Sequence, residues 1–330
     1  MTKKPKVYVT RRIAQQALDM IREAAEMRLW EGELPVPLEV LLKEVKDVEG
    51  LLSMLTERID GELFDAAPKL KVASNMAVGF DNVDLEEATR RGIPVGNTPG
   101  VLTETTADFA FALFMAAGRR VTEGERYIRA GQWKTWSPMV LLGQDLHHAT
   151  LGIVGLGRIG WEVAKRARGF DMEVIYYDEI RRKDLEEQYS IEYAGDLLTL
   201  LSRADFVTVH VSLTPKTRHL MGAKEFAAMK PTAIFVNTSR GPVVDQKALY
   251  HALKDKTILA AGIDVTEVEP IPMDDPLLTL DNLTITPHIA SASVATRTKM
   301  ALLAVENLLA GLRGEIPPHC PNAEALKSKR

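Results

Sequence analysis

Cysteine is almost absent from this chain: Cys320 stands alone among 330 residues. A single thiol forms no internal disulfide, which excludes a disulfide-stapled secreted scaffold and fits a reducing cytoplasm. Its position near the C-terminus gives no sign of a nucleophile. Long hydrophobic runs are also missing, and the longest fall well short of a membrane span. The opening MTKKPKVYVT leads straight into a strand pattern, so no signal region is expected. Charge of one sign is lacking as well. At a net charge of −4, neither nucleic acid nor a membrane surface is an expected partner. Histidine is sparse, and no cluster of His, Cys and acids has structural-zinc spacing, so no metal is expected. The pair His147-His148 lacks the helical spacing of two ligands and reads as loop. Internal repeats and low-complexity tracts are absent, and only the tail from Ala325 looks frayed.

What remains is ordinary soluble-protein composition, with 46% hydrophobic and 26% charged residues. The length suits about two domains with substantial cores. The stretch around which the rest is arranged is Thr150–Asp178. The apolar run Leu151-Gly152-Ile153-Val154 has the character of a buried parallel strand. Gly155-Leu156-Gly157-Arg158-Ile159-Gly160 follows, then helical spacing of Ile159, Val163, Ala164 and Ala167. A second run, Val174–Tyr177, ends on Asp178. The first glycine permits a tight turn, the second lets backbone approach a pyrophosphate, and the third lets helix pack on strand. Free N–H groups at the helix start favour the phosphate charge. Asp178 lies eighteen residues past Gly160, near the roughly 20 expected of the acid that binds a ribose hydroxyl. Strand, glycines, helix, strand and acid together predict a dinucleotide site with contacts at Gly155, Gly157, Arg158, Ile159, Gly160 and Asp178. NAD(H) is the expected cofactor, since Asp178 repels a 2′-phosphate; Arg181 and Arg182 close behind partly offset this, so NADP(H) remains open.

Before that motif, strand patterns at Lys6–Thr10, Gly50–Met54 and Lys71–Ser74 alternate with helical spacing around Ala14–Ile21, Leu38–Val45 and Gly61–Ala67. Alternation of this kind implies a parallel sheet. The loop Asn75–Asp84 leaves that sheet, and its amides suit either a substrate carboxylate or a helix-capping turn. Asn97-Thr98-Pro99-Gly100 reads as a hinge into an apolar helix, Thr103–Gly118. Trp133 and Trp136, in an irregular segment, point to a subunit contact or a cover for their own domain. After the motif, strands are expected at Asp205–Val211, Ala233–Asn237, Ile258–Asp264 and Leu283–Thr286. Helices are expected at Leu197–Ser202, Lys224–Met229, Asp245–Leu253 and Ser291–Gly314, the last long enough to cross between domains.

Three polar residues fall just past three of these strands: Arg240, Glu269 and His288. Ligands collect at the carboxyl ends of parallel strands, so the three are expected to converge. The division of labour is chemically sound. Arginine forks onto a 2-oxo acid, histidine delivers a proton to the carbonyl oxygen, and glutamate holds the histidine charged. Individually, each has an ordinary reading: a surface ion-pair arginine, a solvated loop acid, a packed or capping histidine. His210 ends a strand near the glycine turn and is expected to line the cofactor pocket. Thr106, Thr217, Thr238 and Asp264 are further expected cofactor contacts, and Ser291 a further substrate contact.

Across essentially its whole length the sequence resembles the D-isomer-specific 2-hydroxyacid dehydrogenases. The resemblance is carried by VGFDNVD at Val78–Asp84, NTPGVLTETTAD at Asn97–Asp108 and GIVGLGRIG at Gly152–Gly160. It continues with VNTSRGPVVD at Val236–Asp245, GIDVTEVEP at Gly262–Pro270 and TPHIASA at Thr286–Ala292. Within the family it is most similar to the glyoxylate/hydroxypyruvate reductase branch. The resemblance implies an α/β fold of two Rossmann-like, doubly wound parallel-sheet domains. A cofactor domain, 100–288, is inserted into a split substrate domain, 1–99 with 289–330. It implies catalytic roles for Arg240, Glu269 and His288, a substrate loop at Val78 and Gly79, and a homodimer built largely from the cofactor domain. One departure stands out: the family usually reads HIGSA where this chain has HIASA, with Ala290 for glycine. The same fold also serves 2-ketogluconate reduction, phosphite oxidation and non-enzymatic dinucleotide sensing. Formate dehydrogenases carry glutamine at the position of Glu269, which argues against formate.

Overall fold

The computed structural model describes residues 3–328. Met1, Thr2, Lys329 and Arg330 lie outside the described residues, and with them the first residues of the opening segment and the last of the tail.

Short aliphatic runs, buried on both faces, alternate with amphipathic stretches, and this pattern builds two parallel sheets. The first holds β1 (Lys6–Val9), β2 (Glu26–Leu29), β3 (Gly50–Ser53), β4 (Val72–Asn75) and β5 (Val95–Gly96), in the order β2-β1-β3-β4-β5. The second holds β6 (Thr150–Val154), β7 (Glu173–Tyr177), β8 (Glu192–Tyr193) and β9 (Phe206–Val209). It is completed by β10 (Ile234–Asn237), β11 (Ala260–Ile263) and β12 (Leu283–Ile285), in the order β12-β11-β10-β9-β6-β7-β8. The winding direction reverses between β6 and β9, which makes that point a topological switch where ligands of open α/β sheets bind.

The chain divides into two compact units. One runs to Leu102 and resumes at Ala292; the other spans Thr103–Ser291. The divisions fall slightly later than 99/100 and 288/289. Helix Thr103–Gly118 opens the second unit whole, and the loop after His288 stays with the sheet that carries it. The final long helix begins at Val294, not Ser291, because the Ser293 hydroxyl caps it by accepting Thr296 N–H at 3.1 Å. The whole helix, Val294–Leu312, belongs to the first unit, packed on β3, β4 and helix Gln15–Ala24. The expectation of a helix crossing between domains is thereby corrected. The tail is likewise more ordered than expected: helix Ala323–Lys327 buries Leu326.

Several helices begin on an acidic or hydroxyl cap. Asp84, Asp196 and Asp245 accept the N–H of Glu87, Thr199 and Ala248 at 2.9, 3.0 and 2.9 Å. These caps satisfy donors that a helix start leaves unpaired. Three strands go beyond the sequence expectations: β2, of four residues, and β5 and β8, each of only two. Helices Val121–Arg129 and Lys183–Tyr189 were not expected either; the first buries none of its residues. Among the described residues no helix is long and apolar enough to cross a membrane, and no cluster of His, Cys and acids could hold a metal.

Candidate active site

The glycine turn sits at the carboxyl end of β6, in the middle of the second sheet. Gly155 has φ +94°, and a Cβ there would lie 2.9 Å from the backbone of His210. Only glycine fits such a turn without strain. A Cβ on Gly160 would stand 2.1 Å from the Gly155 carbonyl oxygen, so the helix packs on the turn only because no side chain intervenes. Around Gly157 the space is open. Helix Arg158–Ala167 begins there with no side-chain cap, unlike the helices capped by aspartate. Its unpaired N–H groups, the open space at Gly157 and the helix dipole fit the pyrophosphate of a dinucleotide.

Asp178 follows β7, and its carboxylate already accepts two backbone N–H bonds, from Leu156 at 2.7 Å and Ile180 at 3.0 Å. The first ties the glycine turn to the end of the neighbouring strand. Arg181 is engaged by Glu186, with Nη2 2.7 Å from Oε2, and lies over the Tyr193 ring; Arg182 pairs with Asp184 at 2.7 Å. His210 is half-buried beyond β9, and burial pushes its ring down to about 3. Its Nε2 lies 2.9 Å from the Thr208 hydroxyl. The Thr238 hydroxyl, just past β10, is buried without a hydrogen-bond partner, an orphaned polar group that a cofactor would satisfy. Thr106 is buried in the first turn of helix Thr103–Gly118. Thr217 spends its hydroxyl on its own turn, donating to Ser212 O at 2.6 Å and accepting Thr214 N–H at 2.8 Å.

Arg240, Glu269 and His288 leave the carboxyl ends of β10, β11 and β12, which are neighbours in the sheet. Glu269 Oε2 lies 2.7 Å from His288 Nδ1. An ionised carboxylate can only accept, so Nδ1 donates and Nε2 is left to meet a ligand. Burial pushes the Glu269 carboxyl up. The hydrogen bond and charge of His288, the Thr266 N–H at 3.1 Å and the nearby Arg240 charge outweigh it, and the group rests below its usual range. Arg240 Nη1 donates to Ser239 O at 2.9 Å.

The supports of these three were not read from the sequence. Asn237 closes a turn by accepting from Ser239 N and donating to Arg240 O, at 2.9 and 3.0 Å. This folds Arg240 back over the strand end. A Cβ on Gly241 would lie 1.8 Å from Thr266 O, so the arginine loop rests directly on the segment leading to Glu269. Asp264, expected to touch cofactor, is 1% exposed and holds the histidine loop. It accepts Thr286 Oγ1 at 2.6 Å, Ile289 N at 2.8 Å and Ala290 N at 2.7 Å. These bonds fix His288 at φ +56°, a region non-glycine residues seldom occupy. The methyl of Ala290 is buried there without displacing the bond from its amide. Ser291 follows, half-buried. An asparagine or aspartate at a strand end was the available signal for these supports.

In the first unit, Val78 and Gly79 lie in the loop after β4, half-buried, with their N–H groups unclaimed by any acceptor among the described residues.

Residues 111–290 match the model of the D-isomer specific 2-hydroxyacid dehydrogenase family, NAD binding domain. A glyoxylate reductase of Korarchaeum cryptofilum is 56% identical over 325 residues, spanning 98% of both chains. A crystal structure from Thermus thermophilus superposes with a TM-score of 0.90 at 47% identity, covering 96% of this chain and 99% of that one. An NADPH-dependent glyoxylate/hydroxypyruvate reductase of Sinorhizobium meliloti, in complex with NADP and malonate, gives 0.82 at 33% identity over 98% of each chain.

Proposed function

The chain belongs to the D-isomer-specific 2-hydroxyacid dehydrogenases, and from that premise we propose that it reduces glyoxylate to glycolate, with hydroxypyruvate as a second substrate. The observation that carries the reading is the Glu269–His288 pair beside Arg240 at one sheet edge. A bound nicotinamide dinucleotide supplies the hydride. Gly155, Gly157, Arg158, Ile159 and Gly160 would hold its pyrophosphate, and Asp178 its ribose; Thr106, His210, Thr238 and Asp264 are proposed further contacts. Thr217 has its hydroxyl bound within its own turn, so a contact there would be made by backbone.

Arg240 binds the 2-oxo acid and orients its carbonyl by paired charge-assisted hydrogen bonds. Val78, Gly79 and Ser291 are proposed as further substrate contacts. Protonated His288 gives the Nε2 proton to the carbonyl oxygen as charge develops there. Glu269 keeps Nδ1 protonated, fixes the ring and opposes the buried charge with its own. In the oxidative direction neutral His288 takes the hydroxyl proton back.

NAD(H) is the proposed preference, because Asp178 stands where a 2′-phosphate would be repelled and the two arginines behind it are paired with acids. A homodimer is proposed through helix Val121–Arg129 and the segment with Trp133 and Trp136, which cover no core of their own unit. The lone cysteine supports a reducing cytoplasm. Initial rates of NADH and NADPH consumption with glyoxylate, hydroxypyruvate, 2-ketogluconate and pyruvate test the reading. No turnover of glyoxylate or hydroxypyruvate, with either cofactor, would overturn it in favour of a dinucleotide-sensing protein or another substrate.

A further inference from the structure

We propose that Asn75 is a positioning residue for the substrate carboxylate: it holds the loop after β4 so that the N–H groups of Val78, Gly79 and Phe80 form one three-donor receptor. The inference rests on the reduction of a 2-oxo acid proposed above, and concerns how the acid end of that substrate is recognised.

Asn75 ends β4 and is 1% exposed. Its Nδ2 donates to Gly79 O at 3.3 Å and to Asn82 Oδ1 at 3.0 Å, and its Oδ1 accepts the Ser53 hydroxyl at 3.3 Å. The orientation of both amides is fixed by chemistry. Asn82 faces two carbonyls, Met54 O at 3.1 Å and Glu57 O at 2.8 Å, so that end must be its NH2. The other end is then an oxygen, and the Asn75 group facing it must be a donor. Glu57, itself 3% exposed, anchors the base of this network by accepting the Thr10 hydroxyl at 2.6 Å and Met54 N–H at 2.7 Å.

Two more framework donors take the preceding carbonyls. Asn97 Nδ2 reaches Val78 O at 2.8 Å, and Thr98 N reaches Ala77 O at 2.8 Å. Three successive carbonyls, of residues 77, 78 and 79, are therefore turned towards the ends of β4 and β5. In a trans peptide the N–H points opposite to the C=O. The N–H groups of Val78, Gly79 and Phe80 consequently face away from the framework. Among the described residues none of the three has an acceptor, and the loop is open there, with Phe80 38% exposed. Successive outward amides form an anion-binding concavity without any charged side chain. Such a receptor favours a carboxylate, to which each bond is charge-assisted, over an uncharged aldehyde or ketone end. The part that Asn75 plays is to set the third peptide, and with it the Phe80 donor.

The test is Asn75→Ala, measured with glyoxylate and with oxalate, a non-reducible dianion, titrated into the NADH complex. Loss of one charge-assisted donor should raise the KM for glyoxylate and the Kd for oxalate by about tenfold. The kcat should change far less, and the NADH Kd should not move. Asn322→Ala is the matched control. Asn322 is buried in the same unit, accepting Val95 N–H at 3.0 Å and donating to Ile93 O at 3.0 Å, and touches no carbonyl of the loop. It should lower thermal stability and leave KM and oxalate binding unchanged. Unaltered oxalate binding in Asn75→Ala, or an equal loss in Asn322→Ala, overturns the proposal. If Asn75→Ala does not accumulate folded, Asn75→Ser takes its place, with the same expected rise and the same overturning result. A wild type that binds oxalate without reducing glyoxylate would sink the reductase reading alone, and the oxalate titration of the variant still decides this one.

Discussion

His288 Nδ1 and Glu269 Oε2 stand 2.7 Å apart, although nineteen residues separate them in the chain. The bond is made by loops that leave adjacent strands, β11 and β12, and it turns Nδ1 towards the carboxylate and leaves Nε2 for a ligand.

The pH profile should report that bond. Reduction consumes a proton that the Glu269–His288 pair is proposed to deliver, so the pair should set where the reductive rate falls as pH rises. In Glu269→Gln the shape is kept and the charge removed, so the fall should move to lower pH, and oxidation of glycolate should become active at lower pH as well. Both limbs are read from initial rates where hydride transfer limits turnover; an unmoved reductive limb would sink the pairing. The carboxyl of Glu269 is held below its ordinary value of 4.5 in the folded protein. The sign follows: its contribution to stability is present above that value and is lost as pH falls through the lowered one. Wild type should therefore lose more stability than Glu269→Gln between neutral and acid pH in thermal melts.

Arg240→Lys keeps the charge and loses the fork. With one strong hydrogen bond lost, kcat/KM on glyoxylate should fall about tenfold to a hundredfold, through higher KM and lower kcat together. Unchanged kinetics would remove Arg240 from the site.

Gly241→Ala should be costly for a residue that performs no chemistry. Its methyl would lie 1.8 Å from Thr266 O, so the backbone between Arg240 and Glu269 must part. Overpacking of this kind typically costs about 1–3 kcal/mol, read as a lower Tm. Turnover should drop further than stability, because both loops carry site residues. A variant with wild-type Tm and activity would show that the contact relaxes freely.

Wild type should show higher catalytic efficiency with NADH than with NADPH. Asp178→Gly should narrow the gap, and should also weaken both cofactors because Leu156 N loses its acceptor. Preference for NADPH in the wild type would contradict the reading of Asp178.

Trp133→Ala/Trp136→Ala should shift sedimentation from dimer towards monomer. Both rings are largely exposed, 59% and 76%, beside exposed Met139 and Leu142. Exposed aromatic and aliphatic side chains gathered in one segment are what the proposed subunit contact would cover. A wild-type monomer at micromolar concentration would remove the homodimer proposal.

Much of this was legible because parallel sheets write themselves locally. The apolar runs at β6, β7, β9 and β10, the glycines at 155, 157 and 160 and the spacing to Asp178 are all short-range patterns. Their physical demands, a tight turn, an open backbone and a close helix, do not depend on distant residues. Even the placement of Arg240, Glu269 and His288 follows from one regularity, that each comes just after a strand whose carboxyl end faces the ligand. The two-residue strands β5 and β8 were missed because they are too short to show a period. Helix Val121–Arg129 was missed because none of its nine residues is buried, and few apolar positions mark it.

The sequence by itself determined which residues could carry the chemistry and at which edge of the sheet they would lie. Only the tertiary structure decided how they are held. Asp264 was assignable to a cofactor on its position, but its hold on the amides of Ile289 and Ala290 and on the Thr286 hydroxyl was not. Nothing in the spacing of Asn75, Asn82 and Asn97 foretells that two of them take carbonyls of one loop and leave its N–H groups outward. Hydrogen bonds to backbone depend on where a peptide plane faces after the chain has turned, and residues far apart in sequence set that plane. Side-chain type is encoded at a position; the direction of the groups around it is encoded only by the fold.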